Sequence, residues 1–431
     1  MSNLNLIPIG KLFDLEKGSL QSSKCTEGEY TFITAAEEWK THNEYSHECE
    51  ALIFAAAASG SLGRTHYIND KFITSDLCFI LTPKDSKKYP INLKFYHFVF
   101  NSLKDEIVKN TKSGTSKESI NQSNLRNYEI PYFEIDKQNL WIDKLVNTKL
   151  IKEDLELELS TGQSLLKQLK QTILQEAIEG KLTEKWRVKN PDIGTAKELL
   201  EQIKTEKEKL IKEKKIRPSK PLPPINEDEI PFDIPQNWEW CRLGDISFVG
   251  TGATPLTSEP KYYNGDINWI TSSATGADFV TEAETKITEL ALKETNCQIY
   301  PIGTLVIAMY GQGKTRGQIT ELMIDSATNQ ACAAISIYLK DKALNQFIKK
   351  YFQKIYLEIR ELASGGAQPN LNMQKVKDTM IALPPLEEQK EIVATIEKLF
   401  TLCNELESEI NQNKTTVDNL MVTVLKESFE N

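Results

Sequence analysis

Residues Thr304 to Asp341 read TLVIAMYGQGKTRGQITELMIDSATNQACAAISIYLKD, and whether this stretch is a nucleotide-binding loop decides the fold. A phosphate loop places Gly, four residues, then Gly-Lys-Ser/Thr ahead of a helix, so that unhindered amides can wrap the phosphates. Gly313-Lys314-Thr315 fits the end of that pattern, but Ala308 stands where its first glycine belongs. The residues that follow are rich in β-branched side chains and look strand-like, where a phosphate loop requires a helix. The stretch therefore reads as strand, glycine turn, strand.

The same plan occurs earlier in the chain. ALIFAAAASGSLGRTHYINDKFITSDLCFILTPKD (Ala51 to Asp85) has an apolar strand, a Gly/Ser turn, a basic residue and a second β-rich segment with Lys-Asp at its end. Upstream, YTFIT (Tyr30 to Thr34) answers INWIT (Ile267 to Thr271). Downstream, helical stretches (Phe95 to Val108; Phe347 to Leu362) lead into the Gly/Asn-rich loops KSGTSKESINQSNL and ASGGAQPNLNMQKV. Apolar turns into proline, Tyr128 to Pro131 and Ile381 to Pro385, close the two copies. Matches in one fixed order identify an internal duplication.

A long helical pattern follows each copy. Ile392, Ile396, Leu399, Cys403, Leu406, Ile410, Val417, Leu420 and Val424 keep the steps of a heptad seam, with Asn413 in one slot. A buried Asn in such a seam fixes register at some cost in stability. Leu155, Leu159, Leu166, Leu169 and Ile173 keep the rhythm after the first copy, with Gly162 in a seam position. Each helix alone would expose an apolar stripe, so the two are expected to pack together. Between the halves, a charged helical stretch gives way to a proline-rich linker. The expected organisation is mixed α/β. It comprises a globular domain (1–135), a helical spacer (136–182), a charged helix and linker (183–236), a second globular domain (237–384) and a closing helical spacer (385–431).

Composition narrows the functional classes. With 431 residues, 40% hydrophobic and 26% charged, the chain has the make-up of a soluble globular protein. Its net charge of -9, from 52 basic and 61 acidic residues, argues against a large sequence-independent DNA clamp, though not against DNA binding through local loops. Cys25, Cys49, Cys78, Cys241, Cys297, Cys332 and Cys403 are scattered, so reduced thiols and no structural zinc are expected. His42, His47, His66 and His97 lack metal-ligand spacing and suit surface or hydrogen-bonding roles. Neither a membrane span nor a secretion signal is expected.

Three segments are distinctive: LKQTILQEAIEGKLTEKW (Leu169 to Trp186), NWEWCRLGDI (Asn237 to Ile246) and IALPPLEEQKEIVATIEKL (Ile381 to Leu399). In these, and over nearly its full length, the chain resembles the specificity subunits of type I restriction-modification systems. The first copy departs somewhat, opening at IPIGKLFDLEKG and ending in IPYFEI where the second has LPPLEE. The resemblance implies two target-recognition domains separated by helices that pair antiparallel. It implies a non-catalytic subunit that reads a bipartite double-stranded DNA target, with the helices setting the spacing of the half-sites. Two methyltransferase subunits would bind the helices and restriction/translocase subunits would join them. S-adenosylmethionine, ATP and Mg would belong to those partners, in a cytoplasmic complex for DNA methylation and phage defence. The recognition subunit of another bipartite methylation system, or a structural coiled-coil adaptor, are the other readings of this pattern.

In a DNA reader, the glycine turns would present Gln312, Lys314, Thr315 and Arg316 in the second copy and Ser59, Ser61 and Arg64 in the first. Basic side chains there suit guanine or phosphate, and Gln312 suits adenine. Solvated cations on a tight turn are the other reading. The Asn-rich loops offer Lys117, Asn121, Gln122 and Asn124, and then Gln368, Asn370 and Asn372. Amides suit adenine, but Asn also caps helices and tolerates left-handed turns.

Overall fold

A computed structural model of the chain describes residues 5–57, 60–113, 118–311, 315–364 and 371–430. It has two compact units, Met1–Gly162 with Glu409–Asn431, and Gln163–Ser408. The division falls inside two long helices, the central one at Ile135–Ile178 and the C-terminal one at Leu386–Glu430.

The first unit is built on a six-stranded sheet in the order Phe13–Lys17, Cys78–Pro83, His47–Ala55, Thr65–Thr74, Tyr30–Ile33, Lys40–His42. Neighbours are antiparallel, except that Tyr30–Ile33 runs parallel to the end of Thr65–Thr74. Alternation along the central strand supplies both faces, since successive side chains point to opposite sides. Leu52 and Phe54 enter a core with Phe79, Leu81, Tyr96 and Phe100, while Ala51, Ile53 and Ala55 enter another with Ile68, Phe72 and Ile80. Full burial of an aromatic or branched side chain contributes about 1.5–3 kcal/mol. The larger core also takes Trp141 and Leu145 from the central helix and Val424 and Leu425 from the C-terminal one.

The second unit repeats the first four strands of this order, but sets Tyr263–Ile270, the counterpart of Tyr30–Ile33, in a separate four-stranded sheet. Its main sheet orders Ser247–Thr251, Cys332–Ile337, Leu305–Ala308, Ile319–Leu322, Phe279–Val280. Strand Ile319–Leu322 stands where a phosphate loop would need a helix, in keeping with the strand reading. The predicted correspondence of YTFIT with INWIT holds in detail. Ile33 pairs with Thr74 and Ile270 with Thr328, both in parallel, and the next amide, Ser75 or Asn329, donates to Ile33 or Ile270. One difference is local: the second copy has a single helix Lys342–Ser364, whereas the first is broken at Leu103 into Leu93–Ser102 and Lys104–Thr111.

Within each unit the long helices run antiparallel. Lys144 meets Glu427 at 3.2 Å in the first unit, and Lys170 meets Glu407 at 2.7 Å in the second. Leu166, Ile173, Ile392, Ile396, Cys403, Val417 and Val424 are buried, and Leu155, Leu159, Leu399, Ile410 and Leu420 are half-buried. Leu169 and Leu406 are exposed, and Asn413 is exposed rather than buried. A strict seam is therefore not maintained, and Asn413 cannot fix register as a core residue. Gly162 contributes to this, because it supplies no side chain opposite Ile410; a Cβ there would lie 3.5 Å from the Ile410 Cδ1.

The three distinctive segments converge on one residue. Glu388 is fully buried at the start of the C-terminal helix, and its Oε1 accepts from Thr183 Oγ1 at 2.8 Å and Arg187 Nη1 at 2.6 Å. Its Oε2 accepts from Trp238 Nε1 at 2.9 Å. A buried carboxylate is tolerable only with such a complement of donors. The charged stretch forms a helix at Ala196–Lys212 with a Thr195/Glu198 capping box. The proline-rich stretch beyond it is tied to the second domain by Arg242, whose Nε donates to Pro223 O at 2.9 Å and whose Nη2 meets Glu229 at 2.8 Å.

Candidate nucleic-acid interface

The two glycine turns share one backbone scheme. In the first, Gly63 N donates to Ala55 O (2.8 Å), Ala55 N to Arg64 O (2.8 Å) and Arg64 N to Ser61 O (3.0 Å). In the second, Gly317 N donates to Ala308 O (2.8 Å), Ala308 N to Gln318 O (3.0 Å) and Gln318 N to Thr315 O (3.1 Å). Gly63 and Gly317 have φ of 80° and 82°, the left-handed region that favours glycine. These bonds equate Ser61 with Thr315, Leu62 with Arg316, and Arg64 with Gln318. The sequence reading placed Arg64 level with Lys314 and Arg316, and the geometry corrects it. Residues 58–60 lie between Ala57 and Ser61 where 311–314 lie between Tyr310 and Thr315, and that extra residue shifts the apparent alignment.

Arg64 is half-buried. Its Nη1 donates to Ser61 Oγ at 3.4 Å and to Ala35 O at 3.5 Å, and Glu37 lies 3.9 Å from Nη2. Burial first, and then the Arg64 charge, hold His66 below its ordinary value, so an uncharged ring lies beside the arginine. Thr315 and Arg316 are half-buried. Tyr310, in the same turn, is 48% exposed where the first copy has Ala57. Ser59, Lys117, Gln312, Lys314, Gln368 and Asn370 lie outside the described residues.

The remaining amides of the Asn-rich loops are engaged with backbone. Asn121 Oδ1 accepts from Asn124 N at 2.7 Å, and Asn372 Oδ1 accepts from Lys375 N at 2.8 Å, so each caps a short helix. Asn124 Nδ2 donates to Thr111 O at 3.0 Å, and Gln122 Nε2 donates to Leu15 O. The loop adjoins the turn, since Ile120 N donates to Ala56 O at 2.8 Å. Capping and bracing thus use part of the hydrogen-bonding capacity of Asn121, Gln122, Asn124 and Asn372.

The other candidate groups have structural surroundings. All seven cysteines are free, and burial pushes the Cys78 and Cys332 thiols up to about 12. His42 Nδ1 bonds Thr26 and His47 meets Glu16, as hydrogen-bonding roles require. His97 is held down to about 4 by burial first, then by Lys149 and His66. Among the described residues no cluster of His, Cys, Asp and Glu could hold a metal ion, and no helix is long and apolar enough to cross a membrane.

Two similar domains carrying glycine turns, joined to long antiparallel helices, define a class of modular recognition proteins. The chain belongs to the type I restriction modification DNA specificity domain family, whose model matches residues 1–159 and 235–413. It is 28% identical over 269 residues to the type I restriction enzyme EcoEI specificity subunit of Escherichia coli, covering 60% of this chain and 44% of that protein. The match to the EcoDI specificity subunit of Escherichia coli is 23% identical and covers 98% of this chain and 87% of that one. A chain from a structural study of type I R-M assembly and conformational transition superposes with a TM-score of 0.69 at 13% identity, covering 100% of this chain and 98% of that chain. The chain thus spans less than half the length of the EcoEI subunit but most of the EcoDI subunit.

Proposed function

We propose that the chain is the sequence-specific, non-catalytic DNA-recognition subunit of a type I restriction-modification complex. The observation that carries the reading is one hydrogen-bonded glycine turn built twice, on two domains of one chain, with different side chains in equivalent places. Equal frames with unequal side chains suit a target of two unlike half-sites, each read in the major groove, where every base pair has its own donor and acceptor pattern. The net charge of -9 favours such local reading over a broad phosphate clamp.

In this reading two methyltransferase subunits sit on the long helices and restriction/translocase subunits join them. S-adenosylmethionine, ATP and Mg are bound by those partners, and the complex works in the cytoplasm. Leu140, Leu150, Ile151, Leu157, Leu402 and Leu406 support a helix-bound partner, because so many exposed large apolar side chains call for cover. The test is to co-express the chain with its methyltransferase in a methylation-free host and sequence the methylome. The expected result is a bipartite methyladenine motif with a fixed spacer. A continuous motif, or methylation without sequence preference, would overturn the reading.

A further inference from the structure

Resting on that reading, we propose that Arg64 and Gln318 occupy one equivalent base-reading position in the two domains, with Arg64 taking a guanine and Gln318 an adenine.

Three observations lead there. Each residue is the first after the left-handed glycine, and the backbone of each makes the same pair of hydrogen bonds: its carbonyl accepts from Ala55 or Ala308, and its amide donates to Ser61 or Thr315. Each side chain also reaches the loop that follows the parallel-paired strand of its own domain. Arg64 Nη1 lies 3.5 Å from Ala35 O, after strand Tyr30–Ile33. Gln318 Oε1 lies 3.8 Å from where a Cβ on Gly276 would stand, after strand Tyr263–Ile270. The position therefore lies where the turn and this loop meet, in both copies. Finally, both residues are half-buried, held by their surroundings yet open to solvent.

Their chemistry differs in the way base readout needs. The Arg64 guanidinium is oriented by Ser61 and Ala35, while Glu37, with its side chain 87% exposed, is a weakly held counter-ion that a DNA base or phosphate can displace. A guanidinium has five N–H donors, enough to keep these contacts and still donate twice to guanine O6 and N7. The Gln318 amide makes no hydrogen bond among the described residues. Its paired donor and acceptor match adenine N6 and N7.

The experiment uses the full chain in its methyltransferase complex, with Arg64→Gln and Gln318→Arg made separately. Methylome motifs are compared with wild type, and binding is measured to oligonucleotides substituted at each base of the target in turn. Arg64→Gln is expected to change one position of one half-site from guanine towards adenine, and Gln318→Arg one position of the other half-site from adenine towards guanine. The discrimination lost at that base should be roughly 5- to 150-fold. Arg64→Ala and Gln318→Ala, checked for an unchanged thermal transition, should become indifferent at the same positions. Wild-type discrimination at every base in these variants, or a uniform loss across all sequences, would overturn the proposal while leaving a bipartite wild-type motif intact. Absence of a bipartite motif in the wild type would instead reject the reading on which the proposal rests.

Discussion

The two domains share the hydrogen-bonded frame of their glycine turns and differ in how their feet are fastened. At the foot of the first, Gln138 is buried and neutral; it accepts from Asn92 N at 2.7 Å and donates to Pro90 O and Phe133 O. At the foot of the second, Gln389 holds the equivalent place and donates to Pro384 O, but the neighbouring Glu388 does the fastening, through Thr183, Arg187 and Trp238. The first join is a local hydrogen-bond bridge, and the second is a charged node linking segments far apart in sequence. A duplicated fold can therefore keep its hydrogen-bonded frame while its anchoring chemistry diverges.

The largest expected effect breaks that contrast at its charged end. Glu388→Ala leaves Arg187, 19% exposed, without its carboxylate, and removing one member of a buried pair costs about 3–5 kcal/mol. Gln138→Ala should cost less, about 1–3 kcal/mol, because it strands neutral groups only. Chemical denaturation of both variants checks the order; equal losses would mean that the charge confers no special role.

The next prediction uses histidine, which only the first domain contains. Native His97 stays unprotonated down to about 4, whereas the unfolded chain takes up a proton near 6.5, so unfolding absorbs a proton between those values. Stability of the first unit should therefore fall as pH drops from 6.5 towards 4, by at most about 1.4 kcal/mol per pH unit from this residue. His97→Gln, which removes the titrating ring and keeps a polar side chain, should flatten the slope. An unchanged profile of melting temperature against pH would contradict the assignment.

The smallest effect compares the two turns. Gly63→Ala and Gly317→Ala each force an L side chain into the left-handed region, at about 1–2 kcal/mol. At Gly63 the added Cβ would also meet Val108 Cγ2 at 2.6 Å. Thermal melts of either variant that match wild type would show that the turns are not built as described.

The duplication was legible because strand alternation and glycine turns are local signals, and Ile33 and Ile270 fell where the repeat put them. The register inside the turn was not, because one extra residue hides the equivalence of Arg64 with Gln318 until backbone hydrogen bonds are known. Heptad spacing marked the long helices, yet period alone could not tell that Leu169, Leu406 and Asn413 face solvent. Proline content suggested a linker, whereas contacts such as those of Arg242 tie it to the second domain. The Glu388 node was invisible in sequence, since its four residues share no periodicity.

The proposed function places two independent readers in one chain, and exchanging one of them tests it most directly. Residues 1–135 are replaced by the corresponding domain of a relative with a different target, and the methylome of the resulting complex is sequenced. One half of the methylated motif is expected to change and the other half to be retained. A motif changed in both halves, or in neither, would contradict two independent readers.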